Sequence, residues 1–344
     1  MNFQHKEVLY RIALQALIFY GMESEHTLEL LHCSENSTFS VCNQKLQQTV
    51  AILRISRPGY HTQEELEAEI FWLNQIIKDT KVRVARPIAN RGGQVLTGIL
   101  WEGQIYDCMM SEFLVGEMPH PQSGKKSMAE FEQVGEIAAT LHRQAMGWEE
   151  GKTLNRPIWD YETLLGEKAL FGNWRQCPDL DLYEFALLDR TCAMIREHLT
   201  AYGKDEHNFG LIHSDLRAAN LLIEGDQMKV LDFDDCGYGW HLQDLAASIS
   251  FLEEDPYAVA WMEAWIVGYQ RILPFGQRER DEIATFVMAR RIQLLAWITS
   301  HEDSDPVHNL YEGFAKGTCR MAEKYLLSFD HLKTTVSGGK NRTL

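Results

Sequence analysis

The sequence predicts an α+β protein of two lobes. Residues 1–115 read as a small antiparallel β-sheet lobe with one main helix, residues 116–336 as a larger, mostly α-helical lobe, and residues 337–344 as a polar tail. Three observations lead there. Short β-type runs crowd the first third, at Leu28–His32, Thr38–Cys42 and Thr49–Ile55. Apolar residues at helical spacing dominate from Met128 onward. Within that helical part, Leu211–Tyr238 alone reads as a β-hairpin crowded with carboxylates. With 344 residues, 45% of them hydrophobic, the chain can bury a sizeable core in one large domain or two lobes.

The first element is an amphipathic helix. In Lys6–Gly21, Val8, Ile12, Ala16 and Phe19 recur at helical spacing. Glu7 and Arg11 interrupt the approach to the apolar run, and no small-residue cleavage site follows before Glu23, so it reads as a packed helix and not a secretion signal. The polar turn Ser34-Glu35-Asn36-Ser37 joins the first two strands, and the third carries Arg54. After the turn Arg57-Pro58-Gly59, Gln63–Ile77 is a helix because Leu66, Ile70, Leu73 and Ile77 share a face; it also bears Glu65, Glu67 and Glu69. Val82–Ile88 and the alternating stretches Gln94–Trp101 and Gln104–Met110 complete the sheet. Ser111-Glu112-Phe113-Leu114 leads out of it, and Gly116 lets the chain turn.

Met128–Gln144 is the next helix. The irregular stretch Arg156–Arg175 follows, and its aromatic and polar groups suit an acceptor pocket or a packed loop equally. Leu182–Ala201, with Arg196, Glu197 and His198 toward solvent, is followed after the hairpin by helices at Leu245–Glu253, Ala258–Ile272 and Arg280–Ser300. In the hairpin, Asn220–Ile223 and Met228–Leu231 flank Glu224-Gly225-Asp226-Gln227, where Gly225-Asp226 suits a tight turn. Antiparallel pairing makes the residue entering the first strand a neighbour of the one leaving the second. Asn220 and Asp232 can therefore share one hard cation such as Mg2+ through an amide and a carboxylate oxygen. His213 and Asp215 lie on the loop feeding the hairpin.

The combination S-D-L-R-A-A-N-L-L from Ser214, V-L-D-F-D-D from Val230 and W-H-L-Q-D-L-A from Trp240 resembles the aminoglycoside phosphotransferase family. That family includes choline kinases, type II homoserine kinases and stress-response Ser/Thr kinase-like members. The spacing H-x-D-L-x-x-x-N ahead of a strand ending in D-F also matches the catalytic loop and metal-binding aspartate of protein kinases. The resemblance covers roughly Leu28 to Trp297 and implies a two-lobed protein-kinase-like fold. It implies transfer of the γ-phosphoryl group of ATP, with Mg2+, to a hydroxyl acceptor.

In the terms of that resemblance, Asp215 is the base facing the acceptor hydroxyl, His213 braces its loop, and Asn220 and Asp232 hold Mg2+. Asp234 touches a second Mg2+ or is a loop carboxylate. Ser34, Glu35, Asn36 and Ser37 cover the nucleotide phosphates, although no G-x-G-x-x-G is present. Arg54 stands where the family usually has its phosphate-binding lysine, keeping the charge but changing the donor geometry. Glu69 is the helix carboxylate expected to pair with it. Ser111 and Phe113 belong to the connector that hydrogen-bonds the adenine, and Asp244 caps a core helix and anchors the loop.

A net charge of −16 and a sequence pI of about 5.3 argue against a nucleic-acid binder and favour a cationic acceptor. The acidic patches Glu253-Glu254-Asp255 and Glu302-Asp303-Ser304-Asp305 are candidates to receive its amine. Seven cysteines without a C-x-x-C indicate neither a disulfide framework nor a zinc site and fit a reducing cytoplasm. No apolar run reaches the roughly 20 residues of a spanning helix, so no membrane partner is expected. The acceptor is a small molecule, with or without an amine, or, in the rival kinase reading, a protein; its identity and the oligomeric state stay open. A nucleotide-binding regulator without turnover, and a metal-dependent hydrolase built on His213, Asp215, Asp232 and Asp234, are the other rivals.

Overall fold

The computed structural model describes residues 3–33, 36–120, 125–301 and 313–338. The chain divides into two compact units, and neither is continuous in sequence. The first comprises Met1–Pro121, Thr140–Pro157 and Ala218–Cys236; the second comprises Gln122–Ala139, Ile158–Arg217 and Gly237–Leu344.

The first unit opens with helix α1 (Phe3–Tyr20) and strands β1 (His26–Cys33), β2 (Asn36–Asn43) and β3 (Gln48–Ser56). Helix α2 (Gln63–Asp79) and strands β4 (Arg83–Val84), β5 (Pro87–Ile88), β6 (Leu96–Trp101) and β7 (Gln104–Glu112) follow. Among the described residues the main sheet runs β1-β2-β3-β7-β5, with β6 also on β7, and every pairing is antiparallel. Alternation along β3 turns Ala51, Leu53 and Ile55 to one core, which they share with Leu9, Ile12, Ala13, Ala16, Leu17 and Tyr20 of α1. The helix thus buries Ile12 and Ala16 of the expected face and packs Val8 partly against the core, but Leu17 and Tyr20 take the place of Phe19, which is 49% exposed. Seating Leu17 and Tyr20 buries two large side chains where the expected stripe offered one.

Helix α2 begins at a capping box in which Thr62 accepts from the N–H of Glu65 while Glu65 accepts from the N–H of Thr62. Its buried face is Leu66, Ile70, Leu73 and Ile76, with Trp72. The hairpin forms as Leu221–Glu224 against Gln227–Val230, in register Leu221 with Val230 and Glu224 with Gln227. It therefore closes on a two-residue loop, Gly225-Asp226, in which Gly225 has φ +60°. The hairpin is not isolated: Lys229 and Val230 pair in parallel with Arg83 and Val84 of β4, and Glu117 bridges Ile223. Gly116 sits where a Cβ would stand 3.0 Å from the Ile223 carbonyl oxygen, so the close approach of these backbones requires a glycine.

The second unit contains the helices Leu182–Tyr202, Leu242–Ser248, Ala258–Tyr269, Gln277–Ser300 and Phe314–Gly338. A small sheet carries Gly237–Trp240 between Phe209–Ile212 and Ile158–Trp159. Helix Gln277–Ser300 is buried almost continuously from Thr285 to Ala296. Two expectations change here. The helix expected at Leu245–Glu253 starts at Leu242 and stops at Ser248, and Phe251 beyond it has φ +67°, which no helix accommodates. His198 is half-buried, with Nδ1 3.1 Å from Glu282, so only Arg196 and Glu197 face solvent. The Arg156–Arg175 stretch places Trp159, Phe171 and Trp174 in the core, as a packed loop does.

All seven cysteines are unpaired. Among the described residues, no helix is long and apolar enough to cross a membrane.

Candidate active site

In the first unit, the face of β3 opposite the α1 core presents Arg54 to α2. Its guanidinium grips Glu69 with two parallel bonds, Nη1 to Oε1 at 2.9 Å and Nη2 to Oε2 at 2.6 Å, and Glu69 is 1% exposed. The rivals are occupied elsewhere: Glu65 caps its own helix, and Glu67 accepts from Gln63. Arg54 Nη1 also lies 3.5 Å from Asp234 Oδ1 and 4.0 Å from Asp232 Oδ1. Burial alone would lower the Arg54 pKa, but Glu69, Asp234 and Asp232 outweigh it and raise it, so the cation persists.

Asp232 and Asp234 differ in surroundings. Asp234 is buried, with Oδ2 3.4 Å from His61 Nε2, and the Arg156 guanidinium binds the carbonyls of Asp234, Cys236 and Glu65. Burial pushes the Asp234 carboxyl up, but Arg54, His61 and Arg156 more than reverse this and hold it well below the ordinary carboxylate range. The Asp232 side chain is 52% exposed, and its backbone has φ +56°, an uncommon value for a non-glycine residue. The Asn220 carbonyl accepts from the N–H of Leu231 at 2.9 Å, so Asn220 and Asp232 do stand at the same end of the hairpin. Among the described residues, no group of three or more His, Cys, Asp and Glu could hold a metal. An amide and a carboxylate nonetheless suit Mg2+ when phosphate oxygens and water complete its shell.

In the second unit, strand Phe209–Ile212 delivers the loop His213–Arg217. The Asp244 carboxylate accepts from the N–H groups of His213 (3.2 Å) and Ser214 (2.7 Å), and it thereby holds Ser214 at φ +71°. Asp244 was expected to cap its helix as well. The cap position is His241, so Asp244 lies in the first turn, where its carboxylate serves the loop. The buried His213 ring accepts from the N–H of Asp215 through Nδ1 at 3.3 Å.

Asp215 is itself buried. Its Oδ1 pairs with Arg290 Nη2, and its Oδ2 accepts from Arg217 Nε at 3.0 Å. Burial raises its pKa, but Arg217, Arg290 and then His213 reverse the direction, and the carboxyl ends below its ordinary value.

The first unit thus gathers Arg54, Glu69, Asp232 and Asp234, and the second gathers His213 and Asp215. Asn36 and Ser37 open β2, where Ser37 Oγ lies 3.0 Å from Cys33 Sγ; Ser34 and Glu35 lie outside the described residues. Ser111 pairs with Ile52 and Pro87 near the end of β7, and Phe113 follows, part-exposed. Glu253 and Glu254 are engaged by Arg291 at 2.8 and 3.2 Å, and Glu254 also by Arg320 at 2.8 Å. That leaves them poorly placed to receive an amine, and the 302–305 patch lies outside the described residues. His61, Arg156, Arg217 and Arg290 were not anticipated. One signal did exist for Arg290: with Arg291 it interrupts an apolar helical run, Phe286–Trp297, and a charge buried there demands a partner.

The model of the phosphotransferase enzyme family matches residues 30–283. The solved structure of the microcompartment-associated aminopropanol kinase is 33% identical with a TM-score of 0.83, covering 92% of this chain and 98% of that one. Amicoumacin kinase hAmiN, solved with AMP-PNP, Ca2+ and Ami, shares the fold at a TM-score of 0.72 and 18% identity, covering 92% and 96%. Protein sll1119 of Synechocystis sp. (strain ATCC 27184 / PCC 6803 / Kazusa) is 27% identical over 238 residues, 67% of this chain. The chain spans 62% of that relative's length.

Proposed function

Because this chain belongs to the phosphotransferase enzyme family, we propose that it moves the γ-phosphoryl group of ATP to the hydroxyl of a small, amine-bearing alcohol. The observation that carries the phosphotransferase half is the buried two-bond pair of Arg54 and Glu69 with the Asp232 carboxylate 4.0 Å from the same guanidinium. A cation fixed beside an exposed carboxylate is what a nucleotide's phosphates and their metal require. The acceptor class is supported by likeness to the aminopropanol kinase along nearly the full length of both chains.

In this reading Arg54 steadies the α- and β-phosphates, Asn36 and Ser37 cover them, and Ser111 and Phe113 meet the adenine. Asn220 and Asp232 would hold Mg2+, which supplies neutralisation of phosphate charge when bound. Asp234, turned to Arg54 and His61, is assigned to orienting Arg54 and not to a second ion. Asp215 orients the acceptor hydroxyl and takes its proton, and His213 keeps the loop in shape.

The test is a transfer assay with γ-labelled ATP and Mg2+ over 1-amino-2-propanol, ethanolamine, choline, homoserine, amino sugars and Ser/Thr peptides. Label is expected in an amino alcohol. Label in peptides alone would replace the acceptor class, and ATP binding without transfer to any of them would leave a nucleotide-binding regulator.

A further inference from the structure

We infer that Arg290 is the positioning residue for the Asp215 carboxylate, fixing one oxygen so that the other is presented to the acceptor hydroxyl. The inference rests on Asp215 acting as the base.

The two oxygens of Asp215 are held unequally. Arg290 is 1% exposed, and its three kinds of donor are all committed: Nε to Ser250 Oγ at 3.2 Å, Nη1 to Gln293 Oε1 at 3.0 Å, and Nη2 to Asp215 Oδ1. Gln293, fully buried, takes a further bond from Gln243 Nε2 at 3.3 Å, and the Phe171 ring lies 5.7 Å from the guanidinium. This guanidinium has no room to turn. Oδ2 is bound instead by Arg217, whose side chain is 31% exposed and sits two residues away on the same loop. A one-third-exposed arginine yields its bond to an incoming hydroxyl at far lower cost than a buried one. A buried ion pair is also weak support for a fold compared with apolar packing of the same volume. What Arg290 adds is orientation, held by its own supporting shell.

In the reaction, the acceptor O–H replaces Arg217 at Oδ2. As the acceptor oxygen bonds to the γ-phosphorus, the bond from that phosphorus to the bridging oxygen breaks, its electron pair leaves with ADP, and the hydroxyl proton passes to Oδ2. Arg290 stays charged throughout. The charged groups facing Asp215 are Arg217 from its own loop and Arg290 from helix Gln277–Ser300, and the His213 ring on the loop is the titratable group beside them. Asp244, from helix Leu242–Ser248, faces the N–H groups of the loop. The adjacent Arg291 is turned to Glu253 and Glu254.

The experiment compares Arg290→Met, Arg290→Lys and Gln293→Ala with the parent protein by steady-state kinetics over pH, calorimetry with an ATP analogue, and carbon NMR titration of labelled Asp215. Arg290→Met is expected to lower kcat by roughly 10²-fold, the scale of an ångström-sized misplacement, with ATP affinity unchanged. Arg290→Lys should recover part of that loss. The acid limb of the kcat profile and the Asp215 resonance should both move to higher pH, since a charge that favours the carboxylate is gone.

A folded Arg290→Met with kcat within about threefold of the parent and an unmoved titration would overturn the inference. So would equal losses in kcat and ATP affinity at unchanged pH dependence. If Arg290→Met does not fold, Gln293→Ala decides, because it loosens Arg290 without removing its charge. A drop in kcat of about tenfold at constant ATP affinity supports the inference, and parent-like kinetics sink it. Should the parent protein transfer phosphoryl to no acceptor, the proposed activity fails; the NMR titration still reports whether Arg290 governs Asp215.

Discussion

Arg54 answers to two masters at the scale of single residues. As a phosphate ligand it is to be judged by nucleotide affinity, yet it is also the counter-ion of buried Glu69 and Asp234. Removing one partner of a buried pair strands the other, so Arg54→Ala should cost about 3–5 kcal/mol of stability as well as ATP affinity, read by urea unfolding beside calorimetry. Arg54→Lys keeps a charge but not the two-bond fork, and it should lose less of both. Asp234 gives a pH test. Its folded pKa lies well below the ordinary value of 3.8, so its ionised form stabilises the fold fully above about pH 4, and that contribution is lost as pH falls through the folded value. Asp234→Asn should therefore be less stable than the parent at pH 7, with the gap closing as the medium is acidified below that point. Equal gaps at both ends of the titration would refute the pairing. Glu69 was legible because the family resemblance puts the cation's partner one turn before Leu73, where Glu69 stands. Arg290 was not, since a buried arginine announces that it needs an anion but not which carboxylate, 75 residues away, supplies it.

Local elements were read well wherever their signals are local. The hairpin was visible from Gly225-Asp226 between apolar runs, although its strands pair one residue closer to the loop than expected. Because Gly225 has φ +60°, Gly225→Val should cost about 1–2 kcal/mol, measurable as a lowered Tm, and should loosen the end that carries Asn220 and Asp232. Helix Leu242–Ser248 was misjudged at both ends, because nothing in the string Ser248–Leu252 announces the left-handed Phe251. The parallel pairing of the hairpin with β4 was also invisible: two residues on each strand, about 145 positions apart, leave no periodic trace. The α+β class survived these errors, since it depends on the kinds of element and not on their exact ends.

For the molecule as a whole, residues 1–115 lie in the first unit, but that unit also needs Thr140–Pro157 and Ala218–Cys236. Trp72 shows why: its indole N–H bonds Gln144 at 3.0 Å, and its ring packs edge-on against Phe233 at 5.4 Å. Residues 1–121 expressed alone should therefore lack a cooperative unfolding transition and show red-shifted tryptophan fluorescence; a sharp transition would contradict this. The net charge of −16 acts at the same scale, and an amine-bearing acceptor should show a KM that rises with ionic strength more than that of ATP. The chain's order of manufacture adds a consequence. A ribosome moving at roughly 5–20 residues per second needs about 6–23 s to travel from Pro121 to Cys236. Throughout that interval the newly emerged β3 and α2 hold Arg54, Glu69 and Trp72 without Asp234 or Phe233, so the first lobe to be made waits, unfinished and sticky, for a segment the ribosome has yet to add.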